Sequence, residues 1–192
     1  MNDRRPALFL DRDGVVNKNH GYVYEIEKFE FYSEIFQICL IAMSVEMPIV
    51  IVTNQSGIGR GFYSESDYHK LRGWMISQFS NHGIIIDDVI HAPENPEVVQ
   101  DANSSRRKPS PAMFLEAAEN LKLNMPESIM IGDNESDMIS AHRAGIKHRI
   151  LIGNPDGSTL ASEWVESHES CIDLVRKIVA RIRESESNVN KY

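Results

Sequence analysis

The sequence predicts an α/β fold, a doubly wound, Rossmann-like parallel sheet of about five strands in a single domain. Three observations predict it. Short and nearly continuous apolar runs recur along the chain, as strands covered on both faces require. Stretches of helical period separate these runs, and that alternation implies right-handed crossovers between parallel strands. The length of 192 residues, with 42% hydrophobic and 25% charged, suits little more than one domain at about 150 residues each.

The elements follow in order. Ala7 to Leu10, Ile49 to Val52, Ile84 to Ile90, Ile129 to Ile131 and Arg149 to Ile152 read as strands. Ser33 to Met47 carries Ile35, Phe36, Ile38, Cys39, Ala42 and Met43 at helical spacing. Ser64 to His82 opens with Ser64-x-x-Asp67, a capping box with Asp in place of Glu, and stops at Gly83. Ser110-Pro111 supplies a cap and a first-turn proline ahead of Ala112 to Leu121. Glu135 to Ala144 ends at Gly145, and a last helix covers about Ser170 to Arg183. One domain is thus expected over residues 1–184, with a frayed polar tail at 185–192. Two stretches, Asn17 to Glu30 and Ala92 to Lys108, are too long and polar for plain connections, and such loops usually serve a site.

Composition removes several function classes. Twenty Lys plus Arg against 28 Asp plus Glu leave a net charge of −8, which repels a phosphate backbone and disfavours nucleic-acid partners. Cys39 and Cys171 have no C-x-x-C neighbour, which suggests reduced thiols in the cytoplasm. No run of 18 apolar residues occurs, so no membrane partner is expected. The Met residues, Trp74 and Trp164 read as packing groups. With no long apolar stripe beyond core needs, a monomer is the default.

In a doubly wound sheet, ligands bind beyond the carboxyl ends of the strands. The first strand runs into Asp11-Arg12-Asp13-Gly14, two carboxylates at i and i+2. The second ends at Thr53-Asn54-Gln55-Ser56-Gly57, a hydroxyl followed by backbone N–H groups suited to an anion. Arg106-Arg107-Lys108-Pro109 precedes a helix, and the fourth strand ends at Gly132-Asp133-Asn134-Glu135-Ser136-Asp137. Taken alone, each is a turn, a solvated charge run or a helix-start acid. Their shared position at one end of one sheet joins them into a set suited to a hard divalent cation and an attacking carboxylate. The chemistry this supports is magnesium-dependent phosphoryl transfer through an aspartate.

At these residues the chain resembles a known family. F-L-D-R-D-G-V-V-N, V-T-N-Q-S-G-I-G-R-G, R-K-P and I-G-D-N-E-S-D-M stand in the order of the four motifs of the haloacid dehalogenase superfamily of phosphatases. H-G-Y-V-Y-E-I-E-K-F-E-F and T-N-Q-S-G-I-G-R-G are similar to the heptose-bisphosphate and histidinol-phosphate subgroup, which implies a capless phosphatase domain, and the likeness runs from about Ala7 to Gly157. The resemblance implies that Asp11 is the nucleophile and Asp13 the general acid and base. It implies that Asp11, the Asp13 carbonyl and Asp133 hold Mg2+. Thr53, the Asn54 amide and Lys108 would stabilise the phosphoryl oxygens, and Asp137 would orient Lys108 or the metal shell. Asn19, His20, Gly21 and Tyr22 match the first substrate loop, while Gln55, Ser56 and Arg107 match the remaining substrate contacts. His20 has a loop-ordering role as its alternative, and Arg12 and Arg60 either add positive potential or are solvated.

One departure stands out. Relatives of this type carry a zinc clip ahead of R-K-P, and the matching positions here are Ala92, Glu94, Ser104 and Arg106. None is a thiolate or a histidine, so no Zn2+ is expected. Pro93, Pro96, Pro109 and hydrogen bonds would hold the loop instead. Asn134 replaces a lysine of some relatives, which bears on substrate choice. The function implied is removal of the 7-phosphate of a heptose 1,7-bisphosphate through an aspartyl-phosphate. The alternatives are a histidinol-phosphate or other small phosphoester phosphatase, an idle sugar-phosphate binder, and a nucleic-acid 3′-phosphatase that the charge of −8 disfavours.

Overall fold

A computed structural model describes residues 4–98 and 105–189. Six parallel strands form one sheet in the order β3-β2-β1-β4-β5-β6. They are β1 (Leu8–Leu10), β2 (Ile49–Asn54), β3 (Asp88–Ala92), β4 (Ile129–Gly132), β5 (His148–Ile152) and β6 (Glu163–Val165). Among the described residues six α-helices accompany them: α1 (Glu34–Met43), α2 (Ser56–Gly59), α3 (Glu65–Asn81), α4 (Ala112–Leu121), α5 (Glu135–Arg143) and α6 (His168–Val189). Among the described residues no helix is long and apolar enough to cross a membrane.

Strand alternation divides the core in two. Leu8 and Leu10 of β1 and Ile49 and Ile51 of β2 face the side covered by α1, α3 and α6, where Ile38, Phe79 and Val175 are buried. Phe9, Val50 and Val52 face α4 and α5, where Phe114 and Met138 are buried. Cys39 and Cys171 are free thiols buried on the first side, and burial pushes the Cys171 thiol up to about 12. β1 lies between β2 and β4, pairing Leu8 with both Ile49 and Ile129. The order of strands therefore turns beside β1, which is where such sheets open a crevice.

The expectation of about five strands is roughly met, and four element bounds need correction. The sheet has a sixth strand, β6, whose three residues are exposed or half-buried and so leave no apolar run to read. The run from Ile84 is a strand only from Asp88; Ile84 N–H instead closes the end of α3 on the Phe79 carbonyl (3.0 Å), and Ile85 is exposed. α1 ends at Met43, before Met47, because Glu46 turns left-handed (φ 58°) and Met47 N–H returns to the Ala42 carbonyl. α6 continues to Val189 and includes much of the expected tail, since no Gly or Pro interrupts Glu184 to Val189. The Ser64–Asp67 capping box is formed in both directions. Pro111 occupies the N-cap of α4, one position later than expected, with Ser110 Oγ accepting from Ala112 N–H.

Candidate active site

The carboxyl ends of β1, β2 and β4 line one cleft of about 200 Å³. Its wall includes Asp11 and Asp13 after β1, Thr53 and Asn54 at the end of β2, Asp133 after β4, and Arg107 and Lys108 from the incoming loop. Asn19 closes one side, and Asn134, Ser136 and Asp137 at the start of α5 close another.

Lys108 is the hub. Its Nζ donates to Asp11 Oδ1 (2.7 Å) and to the Val52 carbonyl (2.9 Å), and pairs with Asp137 Oδ1 at 2.6 Å. Those three partners match the three protons of an ammonium. The backbone is fixed as well, because Asn54 bridges it: Lys108 N–H donates to Asn54 Oδ1 (2.9 Å) and Asn54 Nδ2 donates to the Lys108 carbonyl (3.2 Å). Asp137 is seated by a second capping box, in which Asn134 N–H donates to Asp137 Oδ2 (3.1 Å) and Asn134 Oδ1 accepts from Ser136 N–H (3.0 Å). Asn134, which sequence reading placed only as a lost lysine, is thus a helix cap; the N-x-x-D spacing is the same signal as Ser64-x-x-Asp67.

Asp13 is gripped by four donors. Arg12 Nε reaches its Oδ2 (3.0 Å) and an Arg12 terminal nitrogen its Oδ1 (2.8 Å). Asn17 Nδ2 donates to Oδ1 and Gln55 Nε2 to Oδ2, each at 3.1 Å. Arg12 is buried and also donates to the Val23 carbonyl (2.7 Å), so it is a brace and not a solvated charge. Gln55 is buried too, with Nε2 shared between Asp13 and Thr53 Oγ1 (2.8 Å) and Oε1 accepting from the Tyr63 hydroxyl (2.6 Å).

Of the residues matched to substrate loops, Asn19, Asn54 and Arg107 line the cleft. His20, Gly21, Tyr22, Gln55 and Ser56 do not belong to its lining. His20 meets Glu30 at 3.2 Å, Gly21 N–H turns onto Asn19 Oδ1, and Tyr22 packs edge-on against Phe62 with centroids 4.7 Å apart. Ser56 opens the short helix α2. Arg60, for its part, pairs with Glu97 at 2.9 Å.

At the positions of the zinc clip, Ala92 ends β3 and its carbonyl accepts from Gln55 N–H (2.8 Å). Glu94 Oε1 accepts from Arg106 N–H (3.0 Å), Arg106 pairs with Glu116, and Gly59 N–H reaches the Pro93 carbonyl (3.0 Å). Ser104 lies outside the described residues.

Three carboxylates, those of Asp11, Asp133 and Asp137, place an oxygen each within 4.8 Å of one another. Burial, with the neighbouring acids adding to it, pushes Asp11 up to about 8 and Asp133 up to about 6, while Lys108 pulls both the other way. Asp11 and Asp137 hold the Lys108 ammonium above its ordinary value despite burial. One ammonium cannot balance three carboxylates, so the cluster suits a hard divalent cation. Gly14 makes the fit closer. It turns with φ +98°, and a Cβ there would stand 1.9 Å from Asp133 Oδ2, so only a glycine lets the Asp13–Gly14 backbone come against that carboxylate.

Comparison with known proteins gives the family. Residues 95–150 match the family model described as haloacid dehalogenase-like hydrolase. The chain is 43% identical over 159 residues to a D-glycero-alpha-D-manno-heptose-1,7-bisphosphate 7-phosphatase of Burkholderia mallei, covering 81% of this chain and 84% of that protein. It is 37% identical over 191 residues to a D-glycero-beta-D-manno-heptose-1,7-bisphosphate 7-phosphatase of Yersinia pestis, covering 95% and 100%. The crystal structure of D,D-heptose 1,7-bisphosphate phosphatase from B. bronchiseptica, complexed with magnesium and phosphate, superposes with a TM-score of 0.75 at 22% identity, covering 90% of this chain and 98% of that one.

Proposed function

We propose a reaction and a substrate for this chain, which belongs to the haloacid dehalogenase-like heptose-1,7-bisphosphate 7-phosphatases and is a phosphatase. The substrate is D-glycero-D-manno-heptose 1,7-bisphosphate, and the bond broken is that of the 7-phosphate. The names of the relatives support the substrate, and one observation carries the reaction: Asp11 lies just beyond the central strand with Lys108 Nζ at 2.7 Å and the Asp133 carboxylate in the same cluster.

Asp11 attacks phosphorus through Oδ2, since Oδ1 is held by Lys108. As the bond from phosphorus to the sugar oxygen breaks, Asp13 delivers its proton to that oxygen. Asp13 then takes a proton from water, whose oxygen attacks the aspartyl-phosphate; the bond to Asp11 breaks and inorganic phosphate leaves. Thr53, the Asn54 amide and Lys108 steady the phosphoryl oxygens. Asn19, His20, Gly21, Tyr22, Ser56 and Arg107 form the sugar side, with Gln55 acting from beneath through Asp13 and Thr53.

Asp11, Asp133 and the Asp13 carbonyl would hold Mg2+, which supplies charge neutralisation for the phosphoryl oxygens when bound. Asp137, already paired with Lys108 and capping α5, positions the lysine and is not a ligand. Zn2+ has no place in this chain: metal analysis should give less than one zinc per chain, and a stoichiometric zinc would overturn that. We assign the activity to a cytoplasmic monomer with a single capless domain that includes α6 to Val189.

Phosphate release tests the assignment. The panel is both anomers of the heptose 1,7-bisphosphate, histidinol phosphate and sugar monophosphates, each with and without Mg2+. A magnesium-dependent preference for the heptose bisphosphate is expected. A preference for histidinol phosphate or another ester would keep the aspartate chemistry and overturn the substrate.

A further inference from the structure

The geometry points to Tyr63 as a positioning residue for proton delivery: its hydroxyl fixes the Gln55 amide so that the amide nitrogen bridges Asp13 and Thr53. This rests on the reading of Asp13 as the general acid.

Tyr63 is outside the cleft lining and belongs to no motif. It is nevertheless tied to the site by a 2.6 Å hydrogen bond from its hydroxyl to Gln55 Oε1. A glutamine amide has one acceptor end and one donor end. With the acceptor end committed to Tyr63, the donor end turns to Asp13 Oδ2 (3.1 Å) and Thr53 Oγ1 (2.8 Å). Reversal of the amide would break the bond from the Tyr63 hydroxyl to Oε1 and, once Asp13 has given up its proton, set Oε1 against a carboxylate, an acceptor facing an acceptor. The tyrosine ring is itself held. It stacks on Tyr24, from the first loop, with centroids 4.8 Å apart and planes 13° from parallel. On another side it fills the space left by Gly57, where a Cβ would stand 2.1 Å from Tyr63 Cε1. Burial pushes the phenol up to about 12, so the hydroxyl keeps its proton for donation throughout the neutral range.

A loop ring, a buried hydroxyl and an amide therefore form one line from Tyr24 to Asp13. A group that orients the acid should matter in proportion to how much the leaving oxygen needs a proton. An alkyl phosphate such as the heptose bisphosphate needs it, and p-nitrophenyl phosphate does not.

The test measures kcat/KM, which reports the step up to aspartyl-phosphate formation, for both esters. Tyr63→Phe keeps the ring stack and removes only the hydroxyl. Losing one buried hydrogen bond should lower kcat/KM on the sugar ester about tenfold and on p-nitrophenyl phosphate by less than about twofold. In a Gln55→Leu background the same substitution should cost nothing further, because the amide through which it acts is gone. Equal losses on the two esters, or losses that multiply in the double variant, would overturn the role. Asp13→Asn is measured alongside. If it is selective for the sugar ester and Tyr63→Phe is not, only the Tyr63 role fails. If Asp13→Asn shows no selectivity, the acid assignment fails and the Tyr63 role with it.

Discussion

Lys108 Nζ lies 2.6 Å from Asp137 Oδ1, with both side chains at most 2% exposed. The lysine that touches the nucleophile is therefore seated on a carboxylate that is in turn locked by the cap of α5. Helix start, lysine and nucleophile form one electrostatic unit.

Asp137→Asn keeps the shape and removes the charge. Breaking a buried pair on one side leaves the ammonium short of a partner, and Asp11 only partly compensates. The expected loss is about 3 kcal/mol of stability, read as a lower urea midpoint with an unchanged denaturant slope. An unchanged midpoint would mean that Asp11 alone balances Lys108.

Asp11→Asn should leave no measurable turnover while far-UV circular dichroism and the urea midpoint stay near the parent, because burial and the neighbouring acids already disfavour the Asp11 charge, pushing it up to about 8, and Lys108 keeps Asp137 and Val52. Retention of most activity would remove Asp11 as nucleophile. Asp13→Asn should cost a factor of about 10²–10⁴, the usual worth of general acid catalysis. A loss below about tenfold would assign the proton to another group.

Gly14→Ala puts a Cβ where the Asp133 carboxylate stands and forces a side chain into φ +98°. The magnesium concentration for half-maximal activity should rise at least about tenfold, as disturbing a group that positions a ligand typically does. An unchanged magnesium titration would mean that Asp133 can move aside freely.

His168 sets a pH dependence of stability. It is buried, stacks on Tyr32 at 3.6 Å, and its Nε2 lies 3.2 Å from the Val15 carbonyl. Burial holds its proton affinity below the ordinary value of 6.5. The unfolded chain therefore takes up the proton first as pH falls. The contribution of the neutral ring is complete above 6.5 and drains away as pH drops below it. Urea midpoints from neutral pH to about pH 5 should fall less steeply in His168→Gln than in the parent. Parallel slopes would remove His168 as the source.

Much of this was legible in the residues. Asp11 and Asp13 follow a short run of apolar residues, and the crevice rule for doubly wound sheets places both at the mouth. Lys108 was legible only through its motif, since nothing in Arg106-Arg107-Lys108 says which base is buried. The roles of Arg12 and Gln55 as braces depend on side-chain direction, which spacing does not encode for residues leaving a strand. Tyr63 had no signal at all: its partner is eight residues away across a turn, and its ring reads as ordinary packing. β6 escaped because an exposed three-residue edge needs only backbone pairing. Ile84 to Ile86 misled because an apolar run satisfies a helix end as well as a strand.

The central place of β1 has a consequence for synthesis. Its hydrogen-bonded neighbour β4 lies about 120 residues later, Leu8 pairing with Ile129 and Ala7 N–H donating to Ser128 Oγ. The nucleophile strand must wait for that stretch to leave the ribosome before its second edge is covered. A nascent chain ending before Ile129 has Asp11 but neither Asp133 nor Asp137, and so no balanced home for Lys108. Competence to hydrolyse phosphate therefore waits for the stretch from Ile129 to Asp137 to be made.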